Sequence, residues 1–229
     1  MSGVRYALYF APEDESPLAR FGWGWLGRRP DMPTPLALPC VGLDPARQEQ
    51  VVAEARNYGF HATLKPPFHL AEDASREALC DLAAGFAARR RPFEEVFSLA
   101  ELHGFLAVRP AQPSAAIASL ADDCVLHFDR FRAPPSPAER QRRLSQPLNE
   151  RQKAYVDAWG YPYVFEEFRF HMTLTCRLDE AERAIYRPIL EDLARPALAE
   201  PVAFRSLCLF EQPAPGAPFV LSRRFPFGD

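Results

Sequence analysis

His-x-Thr-Leu is written twice in this chain, at His61 to Leu64 and at His171 to Leu174, 110 positions apart in a sequence with five histidines. Each copy sits in a stretch that alternates with a period of two, and successive side chains of a strand point to opposite faces. In "NYGFHATLKPPF" the alternation puts Gly59, His61, Thr63 and Lys65 on one face and Phe60, Ala62 and Leu64 on the other. In "FRFHMTLTCRL" it puts Arg169, His171, Thr173, Thr175 and Arg177 on one side, with Phe168, Phe170, Met172, Leu174 and Cys176 opposite. Half of each strand is thereby committed to a core. The other half gathers imidazole, hydroxyl and cation, a poor core face and a good anion site.

The segments downstream of the two copies narrow the fold further. After the first comes "DASREALCDLAAGFAARRR", an amphipathic helix, then two strands around a His103-Gly104 turn. After the second comes "LDEAERAIYRPILEDLARPAL", a helix despite Pro188, then two strands around a Pro/Gly turn. The order strand, helix, hairpin occurs twice. Ahead of the first copy, Val4 to Phe10 reads as a strand and Ser16 to Gly27 as a helix. Asp44-Pro45 reads as an N-cap with proline in the first helical position. Two or three helices are predicted between the copies, over Ser114 to Phe131, Pro137 to Leu144 and Asn149 to Trp159. The expected fold is α+β: one bilobed unit of 229 residues, with pseudo-symmetric lobes at about 40–110 and 165–229 around a central cleft and a helical insert at about 113–160.

Paired imidazoles suit displacement at phosphorus. An ordinary histidine pKa near 6.5 lets one ring accept the proton of the attacking oxygen while the other, charged, gives a proton to the leaving oxygen. In-line attack sets those oxygens on opposite sides of phosphorus, so base and acid belong on opposite walls. A hydroxyl two residues after each histidine lies on the same face and can donate to non-bridging oxygens as their charge grows. Lys65, Arg169 and Arg177 would add fixed positive potential, Thr175 a further hydroxyl, and Tyr9 a phenol from a first strand expected at the centre of its sheet. Lys65 and Arg177 extend the two motif strands beyond the threonines. His69, His103 and His127 read as surface or structural, and Glu166 and Glu167, neighbours on a strand, would point apart.

These residues carry a family resemblance. "FHATLKPPF" and "FHMTLTCRL" resemble the paired signatures of the 2H phosphoesterase superfamily. "RYALYFAP", "FRAPPSP" and "WGYPYVFEEFRFHMTLT" are similar to a bacterial branch of it associated with phosphonate metabolism. The resemblance implies two pseudo-symmetric α+β lobes with both histidines in the cleft between them, and metal-independent action on cyclic phosphates and related phosphodiesters. It makes His61 and His171 the catalytic pair and Thr63 and Thr173 the phosphate-binding hydroxyls. Which histidine is base stays open.

Composition excludes other classes. A net charge of −3 removes the broad attraction on which non-specific nucleic-acid binding depends. The short arginine runs at 28–29, 89–91, 140–143 and 223–224 read as solvated surface. Five scattered cysteines without a Cys-x-x-Cys pair read as thiols of a reducing compartment, and a zinc site would need three or four converging ligands that the motif strands do not offer. No cofactor is expected, no membrane or signal segment is read, and the cytoplasm is the expected location. The expected partner is a small phosphorylated molecule, with the oligomeric state open. The leading activity is opening of a small cyclic sugar phosphate; the association with phosphonate metabolism implies one with a second phosphate, whose expected partners are Lys65 and Arg177. Its rivals are hydrolysis of RNA or nucleotide 2′,3′-cyclic phosphates and non-catalytic phosphate binding.

Overall fold

A computed structural model describes residues 3–228, and within them the chain is α+β, with seven α-helices and three antiparallel sheets. Strand β1 (Arg5–Phe10) opens it, buried at every position after Arg5. Helix α1 (Pro17–Leu26) is capped by the Ser16 hydroxyl, and α2 (Pro45–Tyr58) by Asp44 with Pro45 at its first position. The first motif strand β2 (Ala62–Phe68) is followed by α3 (Arg76–Ala88), a short β3 (Phe93–Glu95), and the hairpin β4 (Phe97–Leu102) and β5 (Phe105–Pro110). His103 and Gly104 turn that hairpin with φ of 51° and 89°, the left-handed conformation that two-residue hairpin loops require. The insert carries α4 (Ala115–Phe128), α5 (Pro137–Leu144) and α6 (Glu150–Trp159). The second motif holds β6 (Met172–Thr173). After it come α7 (Glu180–Ala194), β7 (Val202–Phe204), and the hairpin β8 (Ser206–Gln212) and β9 (Val220–Pro226).

The order β2-α3-β3-β4-β5 therefore recurs as β6-α7-β7-β8-β9, but the sheets cross between the two runs. The four-stranded sheet runs β2-β1-β8-β9, the three-stranded sheet β4-β5-β6, and β3 pairs with β7. Each motif strand joins the sheet of the other run's hairpin. The segments expected as lobes, 40–110 and 165–229, are interleaved at the level of hydrogen bonding.

An aromatic cluster ties the sheets together. The ring of Phe204 on β7 stacks on Phe10 at 4.0 Å and on Phe93 at 4.5 Å, and lies 5.7 Å from Phe170. Phe10 follows Tyr9 and Phe170 precedes His171, so one buried cluster anchors two elements whose neighbouring residues face the cleft.

Strand alternation fails at two places. Tyr9 pairs with Thr63 but Leu8 pairs with Lys65, so one step along β1 spans two along β2. That irregularity makes Leu64 and Lys65 consecutive buried residues. In the second motif only Met172 and Thr173 are in a ladder. Beyond them the Thr175 hydroxyl accepts the Leu106 N–H at 3.0 Å, and the Cys176 N–H reaches across to Val51 O at 2.6 Å. Glu166 and Glu167, expected on a strand, lie in a 3-10 turn over Phe165–Glu167. No helix among the described residues is long and apolar enough to cross a membrane, and all five cysteines are unpaired.

Candidate active site

His61 and His171 line the same cavity, of about 430 Å³, together with Thr63, Thr173, Thr175 and Tyr9. His61 enters from Gly59, whose φ of 78° ends α2 in a conformation that disfavours a side chain. That turn aims the Gly59 carbonyl at the imidazole, whose Nδ1 donates to it at 2.9 Å. His171 repeats the arrangement, Nδ1 donating to Arg169 O at 2.7 Å. Both bonds leave Nε2 as the basic nitrogen of the neutral ring. The Nε2 of His61 lies 3.4 Å from Thr63 Oγ1. Tyr9, 1% exposed, packs tilted against the His61 ring at 3.9 Å between centroids, and Tyr58 stacks on it at 6.0 Å.

Burial sets the electrostatics. Desolvation pushes the His61 pKa from 6.5 down to about 4, helped by the nearby His171 and Arg28 and opposed by the bond to Gly59. His171 is lowered too, first by burial and then by Arg109 and His103, against the bond to Arg169. In the free protein both rings are neutral at pH 7. Burial raises the Tyr9 hydroxyl well above 10, so it is a neutral hydrogen-bonding group at that pH.

The other expected site residues divide. Arg169 and Arg177 line a second compartment of about 310 Å³, which shares Thr63, His171, Thr173 and Tyr161 with the first. Arg177 stands over the Phe105 ring at 5.4 Å, and Arg169 is held by the carbonyls of Glu166 and Phe168. Thr175 is 1% exposed, and its hydroxyl oxygen is engaged by the Leu106 N–H. Lys65, expected on the histidine face, is 2% exposed with its Nζ 2.9 Å from Asp129 Oδ1, and it lines neither of these two compartments. Its charge is paired with Asp129, and it lines a smaller neighbouring cavity with Arg5, Arg132 and Arg143 instead of facing the histidines as expected.

Several residues of the cleft escape a reading of the sequence. His103, expected as a surface turn, lines the second compartment, as do the aromatic rings of Phe105, Tyr161, Tyr163 and Phe168. Arg28, expected at the surface, is 1% exposed and donates to the carbonyls of Arg56 at 2.8 Å, Met32 at 3.1 Å and Phe219 at 2.9 Å, bracing the loop that leads to His61. Arg5, Arg142 and Arg143 line the larger cavity. Only a pairing of distant elements brings these residues together, so neither periodicity nor spacing marks them. Among the described residues no three His, Cys, Asp or Glu side chains converge to hold a metal ion.

Two imidazoles presenting Nε2 to one cavity, with hydroxyls beside them, define a site equipped for proton transfer at an anion. The chain belongs to the family described as "Protein of unknown function (DUF1045)", whose model matches residues 63–220. It is 41% identical, over 99% of its length, to "Ribose 1,5-bisphosphate phosphokinase PhnN" of Janthinobacterium sp. (strain Marseille), and 39% identical, over 96%, to the protein of the same name from Laribacter hongkongensis (strain HLHK9). The chain spans about half the length of these curated relatives, 51% in each case. A solved structure titled as a phosphoesterase superposes with a TM-score of 0.42 at 13% identity, covering 99% of both chains. At that TM-score the likeness settles neither fold nor activity.

Proposed function

We propose that the chain is a cyclic phosphodiesterase that needs no metal and opens a small cyclic sugar phosphate, with 5-phosphoribosyl 1,2-cyclic phosphate of phosphonate breakdown as its substrate. The observation that carries the reading is the pair of Nε2-presenting imidazoles on one cavity with Thr63 and Thr173 beside them. His61, with the pKa near 4, is neutral and serves as base, taking a proton as water attacks phosphorus. The bond from phosphorus to the ring oxygen breaks, and that oxygen takes a proton from His171. The substrate's own negative charge attracts imidazolium and offsets the desolvation that keeps His171 neutral in the free protein. Thr63 and Thr173 donate to the non-bridging oxygens. His61 ends protonated and His171 neutral, and exchange with solvent resets them.

The relatives' name supports this choice of substrate. Cleavage between phosphorus and O2 of that ring gives ribose 1,5-bisphosphate, the compound that the relatives are named for phosphorylating. The sequence has no Gly-x-x-x-x-Gly-Lys-Ser/Thr phosphate loop, so kinase chemistry of that kind is not read onto this chain. The recurring strand-helix-hairpin order supports one bilobed unit around the cleft. A second reading, hydrolysis of nucleoside 2′,3′-cyclic phosphates, is favoured by the aromatic compartment of Phe105, Tyr161, Tyr163 and Phe168, which could stack a base.

The test is a panel of cyclic phosphates assayed with phosphorus NMR of the products. Ribose 1,5-bisphosphate from the ribosyl compound supports the proposal, and preferential turnover of nucleoside 2′,3′-cyclic phosphates transfers it to the second reading. On the true substrate, His61→Ala and His171→Ala should each lower kcat by about 10² to 10⁴ with an unchanged far-UV CD spectrum. Near wild-type turnover in either variant would end the two-histidine mechanism.

A further inference from the structure

Lys65 is paired with Asp129 and does not line the cavity that holds both histidines, so the positive charge there comes from other residues. Arg5 on β1 and Arg142 and Arg143 on α5 line the cavity that holds both histidines. The Arg5 Nε donates to Gln212 Oε1 at 2.6 Å, and its terminal nitrogens make no hydrogen bond among the described residues. Arg143 donates to Gly160 O and stands 5.7 Å from the Tyr161 ring centroid. No side-chain hydrogen bond is made by Arg142 among the described residues. Among the described residues none of the three has a carboxylate oxygen within 4.0 Å, whereas nearby Arg140 pairs with Asp157, Arg132 with Asp129 and Arg56 with Glu49. The carboxylate lining this cavity is Glu54, exposed and outnumbered.

Helix α5 has no buried residue, so no apolar face fixes it where it lies. A capping box of Ser136 and Glu139 closes its own first turn, and polar contacts to other elements hold it in place: the ion pair of Arg140 with Asp157 at 2.7 Å, and Arg143 on Gly160. Basic residues in a last turn complement the helix dipole wherever they point. That accounts for their charge but not for two of them facing the cavity with Arg5 opposite on another element. Guanidinium groups from two elements, unpaired with carboxylates and beside a phosphodiester-cleaving pair, match a phosphate monoester.

We propose that Arg5, Arg142 and Arg143 form a second anion subsite, which takes a phosphomonoester carried by the same substrate molecule whose cyclic phosphate meets the histidines. This rests on the cyclic phosphodiesterase reading above and assigns the residues that hold the second phosphate of its substrate. The experiment compares ribosyl 1,2-cyclic phosphate with and without the 5-phosphate, in the wild type and in Arg142→Ala/Arg143→Gln. The wild type should prefer the phosphorylated ring, and the ratio of the two kcat/KM values should fall about 10- to 100-fold in the variant, the worth of one charged hydrogen bond. Equal losses on both rings, or none on either, would overturn the subsite.

Calorimetric titration with ribose 5-phosphate, which has no ring to open, reads the subsite independently of turnover. Binding by the wild type that weakens at least tenfold in the variant supports the subsite even if neither ring is hydrolysed, an outcome that would sink the substrate and spare the arginines. Equal binding by both proteins, or none by the wild type, would overturn it. An Arg5→Lys variant, which keeps the charge and loses the fork, should weaken the titration less than Arg5→Ala does, and equal weakening would count against contact with the anion.

Discussion

The depressed pKa of His61 makes the stability of the whole protein depend on pH in a calculable way. Unfolded, the imidazole titrates near 6.5; folded, near 4. As pH falls below 6.5 the unfolded chain binds this proton first, so His61 contributes its full stability above 6.5 and loses it progressively down to about 4. Between pH 7 and pH 5 the difference amounts to about 2 kcal/mol, and the ring's remaining exposed edge trims it to about 1 to 2 kcal/mol. His171 is shifted the same way and adds to the trend in the wild type. The perturbation is His61→Gln, an amide that does not titrate. Urea unfolding of both proteins at pH 7 and pH 5 gives four free energies. The loss on acidification should be smaller in the variant by about 1 to 2 kcal/mol, while the carboxylates and His171, common to both, cancel. A double difference below about 0.3 kcal/mol would mean that the His61 ring is solvated in the folded state, and its assignment as a base neutral far below pH 6 would fall with it.

Lys65→Met should lower stability by about 1 to 3 kcal/mol, less than a full broken buried pair because Asp129 keeps Arg132 at 2.8 Å, and leave KM unchanged; a raised KM at full stability would return Lys65 to the cleft. Thr175→Val strands the buried Leu106 N–H and should cost about 1 to 3 kcal/mol in urea unfolding, whereas Thr173→Val should reduce kcat with little loss of stability; the reverse pattern would exchange their roles.

Local chemistry was legible wherever its cause was local. Asp44-Pro45, the His103-Gly104 turn and the three insert helices were all readable because caps, turns and periodicity act over a few residues. Alternation also predicted the side of each motif strand that carries its histidine. It could not say which strand would lie alongside, so the crossing of the sheets was invisible. It also broke where geometry departs from ideal pleating: at the irregularity that sends Lys65 inward, and after Thr173, where a hydroxyl takes the place of a ladder carbonyl. Tyr58, Tyr161 and the cleft arginines come from separate elements, and no spacing rule connects Arg5 to Arg143.

The crossed sheets also govern when the cleft can come into being during synthesis. Arg5 is paired with Gln212 and Tyr9 with Cys208, so β1 waits for residues some two hundred positions later to leave the ribosome. Until then β1 and β2 offer an open, apolar edge, and the wall behind Tyr9 lacks Phe210 and Phe219. Pairings of such long sequence separation fold slowly, on the order of milliseconds to seconds. A nascent chain would thus hold the His61 motif long before it held a pocket. A single proteolytic cut in the exposed 145–147 stretch would leave two fragments still laced together through β1-β8 and β5-β6.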